Sequence, residues 1–440
     1  MVVILMSEIR LITLDPGHFH AALVQKETYP DISKSVSVFA PMTTDLVDHL
    51  ARVARFNERA EAPTGWEEEV HAAPDFLKRM LAAPPGNVVI LSGRNRGKID
   101  YIDLSIQAGL NVLADKPWII SSDRLPKLAS ALDAADNHGL IAYDIMTERF
   151  EVTSQLQREL VNAPAVFGDL VAGSVEEPCV YMESVHHIMK LVAGVPLRRP
   201  AWFFDIAQQG EGLADVGPHL VDLAQWTLFP GQAVNHSSDI EIHAAKRWPT
   251  VVSDAEFREV TGEDGFPEYL DACVNSGQLE YFCNNEVSYS VRGVHVKLDV
   301  LWNYTPPEGA GDTHFAVYRG GHSRVEVRQD ASVNYRPELY VVPNDPGNLD
   351  DVAAAVRARI EAVQENYPGC AVERQEAAVW VSIPDALRIG HEAHFAQVAR
   401  KFFAFLRGDA QMPAWETPNM LAKYYVTTKG VELARDASAG

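Results

Sequence analysis

The stretch "IRLITLDPGHFHAALVQKE", residues 9–27, decides the fold. Residues 9–15 form an apolar run of strand length, and residues 18–27 read as a helix. Between them Asp15, Pro16 and Gly17 make a turn. A strand that turns at a glycine into a helix opens a βαβ unit, provided that the pattern repeats. It does. "VSVFAP" (36–41), "NVVILSG" (87–93), "NVLADKP" (111–117) and "LIAYDIM" (140–146) read as further strands. "APDFLKRMLAA" (73–83), "KIDYIDLSIQAG" (98–109) and "SSDRLPKLASALDAADNHG" (121–139) read as the helices between them. In the first of these, Phe76, Leu77, Met80 and Leu81 share one face. Residues 52–69, with "NERAEAPTGWEEE", read as an exposed insertion. Alternation of this kind means a parallel sheet with helices on both faces, here an α/β domain over residues 1–150.

The pattern changes after Arg149. Residues 167–175, 286–304, 313–320 and 323–329 alternate with period two, as antiparallel strands with one solvated face do. Helices are expected at 218–228, 350–364 and 391–406, with a last one near "KYYVTTKGVELARDA". Residues 151–440 therefore read as an α+β domain with an open-faced antiparallel sheet and C-terminal helices, expected to bind substrate and to oligomerise. A length of 440 residues agrees with more than one domain.

The formal net charge of -22 argues against nucleic acid, which needs clustered Lys and Arg. No run of about 18 apolar residues is present to span a membrane. The opening "MVVILM" lacks a basic region and a cleavage site, so it makes a poor signal peptide. Cys179, Cys273, Cys283 and Cys370 are scattered, with no C-x-x-C pair, which fits a reducing cytoplasm.

In sheets of this kind ligands bind at the carboxyl ends of strands. "LDPGHFHAAL" occupies the pyrophosphate position but holds only Gly17 of the three glycines of G-x-G-x-x-G, with His18 and His20 where small residues are common. Nucleotide binding and a plain strand–turn–helix both remain open for it. The second strand ends "VFAP" with no ribose acid before Asp45, so NAD and NADP are not separated. "LADKPWII" ends another strand with Asp115, Lys116 and Pro117. A lysine there would hold an alcohol oxygen and polarise a carbonyl; equally, it would be a surface lysine ahead of a loop.

"GEGLADVGPHLVDLAQW" (210–226) is the other focus. Pro218 suits a first helical turn, which places His219 there too. The positive end of the helix dipole disfavours imidazolium, and a neutral imidazole is what a general base needs. Asp215 would orient substrate or histidine, and Asp222 would hold the helix to the sheet. A structural histidine and a helix cap fit the same residues. Softer candidates for substrate contact are Tyr143, Arg149, His186, His187, Arg198 and Trp202. A helix over "YMESVHH" would pair Glu183 with His187. Arg198 and Arg199 suit an anionic group, or a solvated surface. Trp202 suits a sugar face, or the core. "GHEAHF" spaces His391 and His394 by three, not the four of a zincin.

These motifs together resemble the Gfo/Idh/MocA oxidoreductases. "ADKPWII" resembles the family's E-K-P motif, with Asp115 for the glutamate. "GEGLADVGPHLVDLAQW" resembles its G-G-x-x-x-D-x-G-x-H-x-x-D motif, and "AWFFD" (201–205) the Trp-containing segment ahead of it. The likeness covers nearly the whole chain. It implies a Rossmann domain joined to an open-faced sheet, NAD or NADP as cofactor, and a sugar or cyclitol substrate. It implies that Lys116, Asp215 and His219 handle the reacting hydroxyl, Lys116 facing the other two from the first domain. The cofactor is then expected at Gly17, His18, Phe19, His20, Ala40, Pro41, Ser92, Gly93, Asn95, Asp115, Lys116 and Pro117.

Three function classes follow. The first is oxidation of a sugar or glycoside hydroxyl, at C3, as a dehydrogenase or as the opening step of redox-neutral glycoside cleavage. The second is a metal-assisted lyase or hydrolase using Glu183, His186, His187, Asp215 and His219, although no metal is expected. The third is a non-catalytic dinucleotide-binding protein. An open sheet face implies a homo-oligomer.

Overall fold

The computed structural model describes residues 8–192 and 195–439. The opening "MVVILM" lies outside them. The chain divides into two compact units, neither of them continuous.

The first unit comprises Met1–Ile119, Asp123–Thr147 and Gly390–Thr417. Its six strands are β1 (Leu11–Leu14), β2 (Ser35–Ala40), β3 (Glu67–Ala72), β4 (Val88–Leu91), β5 (Asn111–Asp115) and β6 (Ala142–Ile145). All are parallel, in the order β3-β2-β1-β4-β5-β6. β1, β4 and β6 are buried throughout, as strands covered on both faces are. The order reverses between β1 and β4, which opens a crevice at their carboxyl ends.

Two local expectations fail. Residues 52–69 are not an insertion: helix Thr44–Glu58 runs through the first part, and β3 begins in the glutamates. Those acids hid the strand, but β3 is an edge, where charge discourages pairing with other chains. The first helix is also shorter than expected, one α-turn at His20–Leu23 followed by a 3₁₀ turn at Val24–Lys26.

His49, on the inner face of helix Thr44–Glu58, is buried with neither ring nitrogen hydrogen-bonded among the described residues. Burial, with the neighbouring Arg52 charge, pushes its pKa down to about 4. The folded state thus resists a proton that the unfolded chain takes up near its ordinary value of about 6.5. Stability is predicted to be fully present above pH 6.5 and to fall by about 3 kcal/mol on acidification toward pH 4. In urea titrations across that range, His49→Leu should flatten this slope; an unchanged slope would refute the assignment.

The second unit comprises Ile120–Ser122, Glu148–Ile389 and Pro418–Gly440. Its main sheet runs Ile240–Ser253, Gln278–Val291, Val294–Asn303, Val180–His187, Thr313–Arg319, Ser323–Gln329, Glu338–Pro343, Val379–Ser382, Ala371–Arg374. Only the pairing of Val180–His187 with Val294–Asn303 is parallel. Residues 286–304 are two strands, not one. They fold back at Arg292 and Gly293, whose φ values of 51° and 77° make the two-residue turn that matches strand twist. One sheet face carries Met182, Leu298, Tyr318, Val325, Leu339 and Val381 into the core. Helices Val152–Val161, Gly217–Leu228 and Leu349–Ala362 cover it. The other face shows Tyr181, Glu183, Lys297, Asp299 and Phe315, all partly exposed.

Residues 167–175 do not form the expected strand. Phe167 closes a short helix, Pro164–Phe167, and Gly168 turns the chain with a φ of 76°. "YMESVHH" is strand, so Glu183 and His187 are not one helical turn apart. Helix Glu416–Ala439 ends the chain. The four cysteines are free thiols, and no helix among the described residues is long and apolar enough to cross a membrane.

Candidate active site

In the first unit, chemistry gathers where β1, β4 and β5 end. Asp15 leaves β1 with a φ of 45°, a strained value for a residue with a side chain. The turn that follows packs on the end of β4. The amides of Gly17 and His18 both donate to the Ser92 carbonyl, at 3.0 and 3.2 Å. A Cβ on Gly93 would stand 2.6 Å from the Asp15 carbonyl oxygen, so only glycine fits there. The missing glycines of the fingerprint are thus explained in part: two turn amides are bound within the protein, and the close approach is made by Gly93.

Asp115 closes β5 and is buried. Its Oδ2 accepts from the Ser92 hydroxyl at 3.0 Å and meets His20 Nδ1 at 2.8 Å, with His18 Nδ1 at 3.9 Å. Burial alone would raise the Asp115 pKa, but His20, Lys98 and Lys116 hold the carboxyl far below its usual range. Burial, chiefly, pulls both imidazoles down, that of His18 well down, which leaves them neutral near pH 7. Lys98 is buried too, with Nζ 2.7 Å from Asn95 Oδ1 and 3.0 Å from the Asp115 carbonyl oxygen. From Val112 to Ile120 every residue is buried except Lys116. Ala40 is buried and its carbonyl takes the Ala73 amide; Pro41 is partly exposed, and Phe19 lies under the Arg52 guanidinium, 5.6 Å from ring centre.

His18, His20 and Asp115 bring ligand atoms within 4.8 Å of one another, a spacing a divalent ion can span. The ammonium groups of Lys98 and Lys116 oppose a second positive charge there. Glu183, His186, His187, Asp215 and His219 do not converge in that way among the described residues. Tyr143, expected to meet substrate, is buried: its hydroxyl lies 3.4 Å from Glu416 Oε1, and Lys401 sits over its ring.

In the second unit, the glycine-rich motif is pinned against strand Gln278–Val291. A Cβ on Gly212 would stand 2.0 Å from the Cys283 carbonyl oxygen, and the Leu213 amide donates to Asn285 Oδ1 at 2.8 Å. Gly210 turns the chain with a φ of 94°. One α-turn, Gly212–Asp215, leads into helix Gly217–Leu228, whose first turn holds Pro218 and His219. Every residue from 209 to 225 is buried except Asp215 and His219, which stand four apart.

Arg199 interacts with Asp215. Burial lowers its pKa against the opposing influence of Tyr281, Asp215 and Asp312. Its Nε donates to the Ile188 carbonyl at 2.7 Å and Nη2 to that of His187 at 3.1 Å. Asp312, just ahead of strand Thr313–Arg319, meets His187 Nδ1 at 3.0 Å and Lys190 Nζ at 2.6 Å, with His186 Nδ1 at 3.7 Å. His186 stacks on Trp302. Burial would raise the Asp312 pKa, yet His186 and Lys190 hold it far below the usual range.

Three expectations need correction here. Arg198 is exposed and spends Nη1 on the Glu259 carbonyl; Arg199 is the inward member of the pair. Arg149 is buried and forked on Asp222, at 2.5 and 2.7 Å, so it braces the His219 helix. Trp202 is core. Sequence reading missed Lys98 and Asp312. Lys98 looks like a surface cation in sequence, and Asp312 stands in a loop without period.

Residues 156–435 match the family model described as "Putative oxidoreductase C terminal domain". No curated protein sequence matches the chain. Among solved structures, a "putative oxidoreductase" from Parabacteroides merdae ATCC 43184 is 47% identical, over 98% of each chain, with a TM-score of 0.95. KijD10, a 3-ketoreductase from Actinomadura kijaniata solved with NADP and TDP-benzene, is 14% identical over 96% of each chain, with a TM-score of 0.56. GenD2 from gentamicin A biosynthesis, solved with NAD, is 15% identical over 98% of this chain and 96% of its own, with a TM-score of 0.58. The last two share the fold. With the family model covering most of the second unit and the full-length match beside it, the chain belongs to the Gfo/Idh/MocA-like oxidoreductases that carry this C-terminal domain.

Proposed function

We propose that this oxidoreductase removes hydride from a sugar or glycoside hydroxyl carbon, at C3, using NAD or NADP. The observation that carries the reading is selective exposure. Asp215 and His219 alone open from an otherwise buried stretch, and Lys116 alone opens from another. Buried surroundings hold such groups rigidly, and catalysis needs them held. The structurally similar KijD10, a 3-ketoreductase solved with NADP, and GenD2, solved with NAD, support the choice of chemistry.

The first unit suits a dinucleotide. Its strand order reverses at β1 and β4, and the backbone at Gly17 and Gly93 carries no side chain to fill the crevice. When bound, the nicotinamide ring accepts the hydride. The protein's part is proton work and orientation: Lys116 holds the reacting oxygen, His219 takes its proton, and Asp215 orients. Asp115, ionised beneath Lys116, keeps that end of β5 in place. A second copy on the free sheet face completes the reading.

The histidines of the second unit favour one extension. His187 and His186, held by Asp312, supply a further base, and Arg199 interacts with both Asp312 and Asp215. A ketone at C3 acidifies the C2 proton, and a base there would release the C1 substituent.

The test is mass measurement of the purified protein for retained NAD or NADP, followed by turnover of a glycoside panel. NADH or NADPH formed in step with a ketone marks a dehydrogenase. Cleavage without net reduction marks the redox-neutral path. If neither dinucleotide binds and no sugar is oxidised, the reading falls.

A further inference from the structure

Strand Gln278–Val291 carries Tyr281 and Cys283 on one face. Gly212, which opens the turn Gly212–Asp215, lies against the Cys283 carbonyl, so that turn packs on the strand beside Tyr281. Tyr281 is 3% exposed, with its ring 5.7 Å from that of Phe203. Its hydroxyl makes no hydrogen bond among the described residues. Arg199 lies over the same aromatic wall, its guanidinium carbon 4.4 Å from the Phe203 ring centre and 5.2 Å from that of Trp302. The guanidinium is spent only on two main-chain carbonyls, those of Ile188 and His187, through Nε and Nη2. Among the described residues Nη1 makes no hydrogen bond, and no carboxylate comes within ion-pair distance of this side chain. Asp215 and Asp312 act on its charge from further off, and Asp312 is already held by His187 and Lys190.

Two donors are thus left unspent on one wall, and both side chains interact with Asp215, at the proposed substrate site. A buried phenol hydroxyl without a partner is costly, and so is a guanidinium drawn out of water without a counterion. A neutral sugar would satisfy the phenol and leave the guanidinium as it is. A phosphomonoester brings nearly two negative charges, too many for one guanidinium with two carboxylates in range. A carboxylate brings one charge and two acceptor oxygens, which suit a guanidinium fork with a phenol beside it.

We infer that Arg199 and Tyr281 form a subsite for a carboxylate of the substrate, so that the sugar oxidised is a uronate. The inference rests on the hydride-removal reading above and names its substrate class.

Steady-state kinetics of the full chain with matched hexosides, hexuronosides and hexoside 6-phosphates test it. The hexuronoside is expected to exceed its parent about thirtyfold in kcat/KM, mainly through KM. Arg199→Gln should shrink that ratio to within about threefold, because it removes the charge. Arg198→Gln removes the same charge from the exposed neighbour and should leave the ratio as it is. Tyr281→Phe should cut the ratio about fivefold with no fall in melting temperature, since the lost hydroxyl makes no bond within the protein. A lower melting temperature would make that hydroxyl a brace and remove it from the subsite. If Arg199→Gln does not fold, the native ratio and Tyr281→Phe decide. Preference of the native chain for parent hexosides or for 6-phosphates would overturn the inference. So would a hexuronoside preference that survives either substitution. Absence of turnover across the panel would instead strike the proposed function, and this inference with it.

Discussion

Lys116→Ala is expected to slow turnover of the sugar by about three orders of magnitude, with a far smaller loss of dinucleotide affinity. The lysine follows Asp115 at the carboxyl end of β5, and it is the one residue there that is not buried. Removing it takes away the charge that would hold the reacting oxygen as its proton leaves. The neighbours do not depend on it for their contacts: Asp115 keeps Ser92 and His20, and Lys98 keeps Asn95. The loss should therefore appear in kcat more than in KM. Stopped-flow absorbance of the reduced nicotinamide, paired with calorimetry of the dinucleotide, separates the two. A variant that turns over at the native rate would remove Lys116 from the chemistry.

The largest stability effect is expected at Asp222. Its carboxylate is buried between Arg149 and Lys423, themselves 7% and 1% exposed in their side chains, so no solvent can replace it. Burial would raise its pKa, but the two cations overcome that and bring it to about 2. Asp222→Ala leaves two buried positive charges facing each other, at a cost of about 3–5 kcal/mol. Urea unfolding followed by tryptophan fluorescence should show the midpoint fall accordingly. For the native chain the sign with pH follows. The folded pKa is depressed, so the contribution is full above the ordinary carboxylate value of 3.8 and is lost as pH falls toward 2. An unchanged midpoint would mean that the triad stabilises nothing.

The parallel sheet was legible because its strands are apolar runs bounded by glycine and proline, a signal that tertiary context rarely reverses. β3 was not, since its side chains answer to the edge it occupies and not to a core. The motif around His219 was legible as turn and helix, because Pro218 fixes where the helix starts. Which polar groups open outward was beyond sequence. Arg149 and Arg199 differ from a surface arginine only in what surrounds them, Asp222 for one and the carbonyls of His187 and Ile188 for the other. Asp312 gathers His187 and Lys190 from 125 and 122 positions away, a separation that leaves no trace in local period.

Gly390–Thr417 belongs to the first unit although some 240 residues of the second precede it. Phe395 lies 4.5 Å from the His20 ring and Phe403 5.0 Å from that of Tyr29, so this late helix seals apolar surface laid down near the start. During synthesis, then, residues 1–150 leave the ribosome with that surface uncovered, and cannot finish until the chain has grown past residue 407. The second unit has its entire main sheet out before the first is closed. Any cut that isolates residues 1–150 removes their lid.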